Sequence, residues 1–98
     1  MIDIDHYFDS PSDICKMIAD REKKHRRLLK ISQKTLADMT GVSFGSIRRF
    51  EEKGQISFES LVRIAIALDL KEDIKKLFME RKVYRTIQDV IDEANQER

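Results

Sequence analysis

The chain has 98 residues, 41% hydrophobic and 38% charged, with a net charge of +1 and a single cysteine, Cys15. These values fit one small folded domain and exclude disordered chains, collagen-like chains and a disulfide framework within the chain. Because no signal-peptide pattern and no apolar run of membrane-spanning length occurs, we expect a cytoplasmic protein without a membrane segment.

The first predicted helix begins at Ser10. Ser10 can cap the helix, Pro11 suits its first position, and Asp13 completes a capping box. Apolar residues recur along this helix, which we expect to end near Leu29. They are Ile14, Met17, Ile18, Leu28 and Leu29.

Two short predicted helices follow, each with a serine at its start and a glycine at its end. Ser32 caps the second helix, which stops at Gly41, and Ser43 caps the third, which stops at Gly54. A glycine just past a helix accepts the left-handed conformation that ends it. Ile47 and Phe50 are predicted to face inward from the third helix.

Three further helices are predicted in the second half of the chain. Ser57 caps the fourth, which is apolar nearly all round and is therefore expected to be the central buried helix. A fifth helix carries Ile74, Leu77 and Phe78, and Thr86 to Asp89 form a capping box that opens a sixth. No segment alternates with a period of two, so we expect no strand.

Charge is distributed unevenly along these elements. Residues 21–53 hold ten basic and four acidic side chains, whereas residues 1–20 hold one basic and five acidic side chains. A basic middle between acidic flanks indicates a face that meets an anion such as DNA. A solvated helix face would give the same pattern, and charge alone does not separate the two interpretations.

The stretch from Gln33 to Phe50 has the spacing of two short helices joined by a tight turn. Ala37 is small where the next helix crosses it, and Gly41 lets the chain reverse. Four apolar residues are placed to lock the pair together: Leu36, Val42, Ile47 and Phe50. The outward residues of the second helix are then free to enter a DNA major groove, about 12 Å wide.

The segment from Ile31 to Gly54 resembles the Xre/Cro family of helix-turn-helix regulators, which includes the lambdoid phage repressors. The matching elements are Ile31, Ser32-Gln33, Leu36-Ala37, Gly41-Val42-Ser43, Ile47 and Phe50-Glu51. Lys30 departs from this pattern where glycine is common, and Thr40 departs where alanine or an aliphatic residue is usual. The resemblance covers residues 12–78.

This resemblance implies an all-α, compact lambda-repressor-like domain of about five helices plus a short C-terminal helix. We expect an acidic extension over residues 1–9, the DNA-binding domain over residues 10–80 and a helical tail over residues 81–98. The resemblance also implies an ion pair between Arg26 and Glu51. It indicates a transcriptional repressor that binds a palindromic operator in double-stranded DNA, and not an enzyme.

A second similarity concerns the segment from Ser46 to Leu68 and the later residues 75–78. They resemble small regulators encoded beside HipA-type kinase toxins, which repress their own promoter and hold the toxin. The alternative function is therefore that of an antitoxin with a HipA-like toxin as its partner. The sequence does not rank the two functions.

The candidate DNA-binding residues come from the second and third predicted helices. They are Gln33, Lys34, Ser43, Phe44, Gly45, Ser46, Arg48, Arg49 and Lys53. Gln33, Lys34 and Lys53 are expected to contact phosphates, while Arg49 is expected to read guanine. Arg48 is assigned to a base or a phosphate.

For the remaining candidate residues, a structural role is the alternative to a contact with DNA. Phe44 is assigned either to a thymine methyl or to packing at the helix start, and Ser43 and Ser46 to caps, phosphate ligands or both. Any of the polar candidates could simply be solvated.

The other residues indicate an oligomer, and they do not indicate a catalytic centre. We expect no cofactor and no metal, because His6 and His25 lack further ligands at metal spacing. Apolar residues in the last two predicted helices indicate a homodimer, unless they complete the monomer or hold a toxin. They are Leu77, Phe78, Ile87, Val90 and Ile91. Met17, Met39 and Met79 are expected to fill the core or an interface.

Overall fold

A computed structural model describes residues 9–80 and 86–96 of the chain. Over these residues it contains six helices and no strand, which confirms the all-α prediction. The helices are α1 (Pro11–Leu28), α2 (Gln33–Thr40), α3 (Phe44–Lys53), α4 (Phe58–Ala67), α5 (Lys71–Lys75) and α6 (Ile87–Gln96). Among them, none has the length and apolar character needed to cross a membrane.

Serine caps open the first four helices, as predicted. The Ser10 side chain accepts a hydrogen bond from the Asp13 backbone N–H, and the Asp13 carboxylate accepts one from the Ser10 backbone N–H to complete the capping box. Ser32, Ser43 and Ser57 each accept a hydrogen bond from the backbone N–H three residues later. Each such cap contributes about 1 kcal/mol to helix stability. The predicted capping box of α6 is also present, between Thr86 and Asp89.

The core is small and lies between α1, α2, α3 and α4. α1 packs on α3, α2 packs on both α3 and α4, and α5 packs on α4. All four residues predicted to lock α2 to α3 are buried: Leu36, Val42, Ile47 and Phe50. Ala19, Ile64 and Leu68 complete the cluster. The core therefore fixes the angle between α2 and α3, which sets the position of the candidate site.

The turns around α2 and α3 depend on left-handed backbone. Gly41 and Gly54 both have φ of 75° and end these helices. A Cβ on Gly54 would lie 2.8 Å from the Cys15 carbonyl carbon, so α1 can approach α3 this closely only beside glycine. Lys30 takes the left-handed conformation too, with φ of 58°, which explains how it replaces the usual glycine. Its side chain makes that conformation costly, by about 1–2 kcal/mol.

Thr40, the other departure from the family pattern, is used by the turn itself. Its hydroxyl donates to the Leu36 carbonyl over 2.7 Å and accepts from the Val42 backbone N–H over 3.1 Å. One side chain thus satisfies backbone groups on both sides of the helix end.

The recurring apolar residues of α1 do not form its buried face. The residues that α1 buries are Ala19, Glu22 and Arg26, whereas Ile14, Met17 and Ile18 are each about 40% exposed. The reason is that Arg26 of α1 pairs with Glu51, which is buried on α3. Met17, Met39 and Met79 are all exposed, so they do not fill the core, and their alternative role in an interface stays a prediction.

The second half of the chain also departs from two expectations. α4 is not buried all round, since Phe58 and Ile66 are 63% and 53% exposed. The fifth helix is shorter than expected and ends at Lys75. Leu77 and Phe78 lie in the turn that follows, where Phe78 has φ of 55° and is fully exposed.

Candidate nucleic-acid interface

The outer face of α3 carries most of the candidate DNA-binding residues. All those between Ser43 and Lys53 are exposed, while Ile47 and Phe50 on the opposite face are buried. A Cβ on Gly45 would meet nothing within 4 Å, so this face is open at its first turn. A helix with this division of sides can enter a major groove without disturbing the core.

The arginines of α3 are already oriented by neighbouring side chains. Arg49 donates from Nε and Nη2 to the Gln55 side-chain oxygen, over 2.9 and 2.7 Å. Arg48 forms an exposed ion pair with Glu52 over 3.3 Å. Sequence reasoning missed Gln55, because a residue beyond the helix end gives no sign that it folds back toward Arg49.

Ser43 caps α3, and Ser46 is its partner in the first turn. Ser43 Oγ accepts from the Ser46 backbone N–H over 3.1 Å and donates to Ser46 Oγ over 2.7 Å. Phe44 is 46% exposed, so neither of its two predicted roles is excluded by burial. Contacts from these residues to DNA remain predictions.

Behind this face, Arg26 and Glu51 form the ion pair that the family resemblance implied. Arg26 Nε and Nη2 donate to the two Glu51 carboxylate oxygens over 2.8 and 2.7 Å, and both side chains are buried. Arg26 Nη1 also donates to the Ile31 carbonyl over 2.8 Å. This pair therefore joins α1 to α3, and it also joins both helices to the turn that precedes α2.

Gln33 is held by the same ion pair. Its side-chain nitrogen donates to Glu51 Oε1 over 3.0 Å. Burial opposes the charge on Glu51, but hydrogen bonds from Arg26 and Gln33, together with the neighbouring Glu22 carboxyl group, outweigh it and lower the pKa of Glu51 to about 2. The hydrogen bond to Glu51 raises the pKa of Arg26. The amide of Gln33 has a second N–H, which can donate to another acceptor.

Glu22 is the residue in this network that the sequence did not reveal. It is 6% exposed, and neither of its carboxyl oxygens accepts a hydrogen bond. Burial, together with the neighbouring carboxyl group of Glu51 and its charge, raises the pKa of Glu22 to about 9. Its position four residues before Arg26, one helical turn away on the same face, was the available signal.

A basic groove of about 520 Å³ runs along the start of α2. Its lining residues are Lys23, Arg26, Arg27, Ser32, Gln33, Lys34 and Phe44. Sequence reasoning placed Gln33 and Lys34 here but missed Lys23 and Arg27, which α1 adds from the other side. The positive end of the α2 dipole opens into the same groove. This combination of cations and donors can bind phosphate groups.

Lys53 lies apart from this groove, exposed in the last turn of α3. Within the described ranges, no group of three or more histidine, cysteine, aspartate or glutamate side chains could hold a metal ion. The candidate site thus consists of the groove at α2 and the outer face of α3.

A protein-family model matches more than half of the chain. The model of a family described as helix-turn-helix matches residues 23–75, which include α2, α3, α4 and the basic half of α1. No curated protein matches the chain. The matched region and the arrangement of helices around its core are those of a compact lambda-repressor-like fold.

Proposed function

The chain belongs to the helix-turn-helix family of DNA-binding transcriptional regulators, and on this premise we propose that it is a repressor that binds a palindromic operator as a dimer. The observation that carries the proposal is the basic groove at the start of α2, directly beside the exposed face of α3. The groove fits a phosphate backbone, and α3 fits the adjacent major groove.

The proposed phosphate contacts come from three helices. Gln33 and Lys34 approach a phosphate in the groove from α2. Lys23 and Arg27 approach the same groove from α1, on its other side. We assign Lys53, which is exposed at the end of α3, to a further phosphate of the DNA backbone. These contacts set the register of the protein on DNA and carry no sequence information.

Sequence reading is assigned to Arg49, with Arg48 and Phe44 beside it. An arginine reads guanine through O6 and N7 with two parallel hydrogen bonds. The Gln55 side-chain oxygen accepts hydrogen bonds from two nitrogens of Arg49, which restrains the exposed guanidinium. Gly45 leaves room for the DNA to come close to the first turn of α3.

We expect Arg49→Ala and Gln33→Ala to weaken DNA binding in different ways. Loss of a bidentate base contact removes about 1–3 kcal/mol of discrimination between operator and mixed-sequence DNA. Loss of the Gln33 phosphate contact lowers affinity for both DNAs by a similar factor. The operator is first selected from a randomised duplex pool, and both variants are then titrated on it and on a mixed-sequence duplex. Equal weakening on the two DNAs by Arg49→Ala would show that another residue reads the sequence.

The proposed dimer is joined by the last part of the chain. Leu77 and Phe78 after α5 are exposed, and α6 exposes Ile87, Val90 and Ile91 with no buried residue of its own. On this view residues 10–80 form the DNA-binding domain and residues 81–98 a helical tail used in assembly, after an acidic extension over residues 1–9. Symmetric pairing places two recognition helices about 34 Å apart, one turn of DNA.

Light scattering of the full chain tests this assembly. We expect a dimer at micromolar concentration, and a monomer when Val90 and Ile91 are both changed to glutamate, because a buried unpaired carboxylate opposes association. Asn95→Asp combined with Gln96→Glu adds the same charge to the same helix at polar positions, so this control should keep the dimer. A monomeric wild type would refute the dimer, and a dimeric Val90 and Ile91 variant would place its interface elsewhere.

The alternative of an antitoxin for a HipA-like toxin rests on a different surface. Phe58, Val62 and Ile66 are spaced every four residues along α4, and Phe58 and Ile66 are mostly exposed. Such a stripe suits a partner protein. Co-purification of a kinase with the wild type, lost in Ile66→Glu but kept in Val90→Glu, would support this function over simple repression.

A further inference from the structure

We propose that Glu22 is a positioning residue that stays protonated in the folded protein at neutral pH and donates its proton to Glu51, so that Glu51 can hold Gln33 in the basic groove. This inference rests on the proposed DNA binding, because Gln33 is the residue assigned to the phosphate there. It assigns a role to a buried acid that neither the core nor the phosphate contacts explain.

The hydrogen bonds that Glu51 accepts leave one lone-pair site of its carboxylate open to such a donor. A carboxylate offers about four lone-pair sites, two on each oxygen. Oε1 accepts from Arg26 Nη2 and Gln33, and Oε2 accepts from Arg26 Nε alone. The second site on Oε2 is therefore open to a further donor.

Glu22 can fill this site only in its protonated form. An ionised carboxyl group has no hydrogen to donate, and both oxygens of Glu22 are buried without a donor of their own. Two buried carboxylates in contact would also repel each other, so one of them keeps a proton. Arg26 binds Glu51 directly, which leaves the proton on Glu22.

The charged groups that face Glu22 are consistent with this assignment. Glu51 of α3 opposes its ionisation, while Arg26 and Lys23 on its own helix favour ionisation. Burial adds to the effect of Glu51, and the net result is the raised pKa of Glu22 described above. At neutral pH the cluster of Glu22, Arg26 and Glu51 is thus electrically neutral.

Ionisation of Glu22 disturbs Gln33 through Glu51. A second negative charge draws Arg26 away from Glu51 and repels the Glu51 carboxylate. Gln33 then loses the acceptor that orients its amide, and its remaining N–H no longer points into the groove. DNA affinity should therefore fall at alkaline pH in the wild type, beyond the change that any DNA-binding protein shows there.

Glu22→Gln separates this mechanism from other effects of pH. The amide keeps a donor for Glu51 but cannot ionise. Binding of a mixed-sequence duplex in low salt is measured between about pH 7 and about pH 10. We expect equal affinity of wild type and variant at neutral pH, and about a tenfold greater loss in the wild type at the alkaline end, the size of one lost charge-assisted contact. Identical pH profiles would overturn the proposal.

Glu22→Leu tests whether the side chain only fills space. Leucine keeps the volume but leaves Glu51 Oε2 without its donor, so we expect weaker DNA binding than in Glu22→Gln at neutral pH. Equal affinity of the two variants would assign Glu22 a packing role and contradict its positioning role.

A carboxyl titration of the free protein decides the protonation state without DNA. The Glu22 side-chain carbon resonance, assigned by its absence in Glu22→Gln, is followed by NMR as the pH rises. We expect it to change well above neutrality, and a change in the usual range of glutamate would overturn the proposal. If no duplex binds to the wild type at any pH, the proposed DNA binding fails, while this titration still shows whether Glu22 is protonated.

Discussion

Replacing Arg26 by methionine is expected to lower the free energy of unfolding by about 3–5 kcal/mol, because it leaves a buried carboxylate without its cation. Glu51 is 1% exposed, and Glu22 lies beside it in the same interior. Methionine has nearly the length of arginine, so the loss reflects charge and hydrogen bonds more than a cavity. A small domain has about 5–15 kcal/mol in total, so the variant should be marginally folded. Urea unfolding monitored by circular dichroism measures the change.

Arg48→Met provides the matched control. Its ion pair with Glu52 has the same chemistry, but both side chains are about 60% exposed. Exposed pairs contribute about 0–1 kcal/mol, so this variant should unfold nearly like the wild type. Similar losses in the two variants would contradict the importance of burial for the Arg26–Glu51 pair.

The pH dependence gives a second check on Arg26→Met. The lowered pKa of Glu51 in the wild type means that its stabilisation is present above the ordinary glutamate value of 4.5 and is lost as the pH falls toward 2. In the variant, burial without Arg26 raises the pKa of Glu51, so protonation relieves its unfavourable burial as the pH falls. The difference in stability between the two proteins should therefore narrow as the pH falls from the raised pKa of Glu51 in the variant toward 2.

Local rules account for the parts of the fold that the sequence predicted well. Each serine cap depends on a backbone N–H three residues away, and Gly41 and Gly54 end their helices through their own conformation. Such features need no knowledge of distant packing. The match between predicted and observed ends of α2 and α3 follows from this, and so does the placement of Ile47 and Phe50 in the core.

The rotation of α1 could not be predicted in this way. Its buried face consists of Ala19, Glu22 and Arg26, and two of these three residues are charged. Hydrophobic periodicity therefore points to the wrong side of the helix. With the rotation unknown, Lys23 and Arg27 were not distinguishable from the other cations of the same charged run. Their place in the basic groove becomes visible only once Arg26 is seen paired with Glu51.

The burial of α4 was also difficult to predict from the sequence. Its composition predicts burial, but composition does not say how many neighbours a helix will have. In the described part of the chain α4 packs against α2 and α5, and Phe58 and Ile66 stay exposed. Phe58 and Ile66, which contributed to the prediction of a buried helix, are thus exposed and available to a partner.

DNA affinity should fall steeply with salt, which is the largest effect that we expect. With about six phosphate contacts in a dimer, the logarithm of the association constant falls with the logarithm of salt with a slope of about −5. Affinity then drops about a thousandfold between about 50 and about 200 mM salt. The selected operator, labelled with a fluorophore, is titrated by anisotropy at several salt concentrations. An association constant that did not change with salt concentration would show that the groove has no electrostatic role in DNA binding.

Two lysine variants with the same change of net charge locate the effect. Lys34→Ala removes one phosphate contact from each copy, so a symmetric dimer should show a slope smaller by about 2. Lys75→Ala removes the same charge from α5, where Lys75 forms an exposed ion pair with Glu72. Its slope should equal that of the wild type. If both variants reduced the slope equally, net charge would drive binding, and the groove formed by α1 and α2 would have no special part in it.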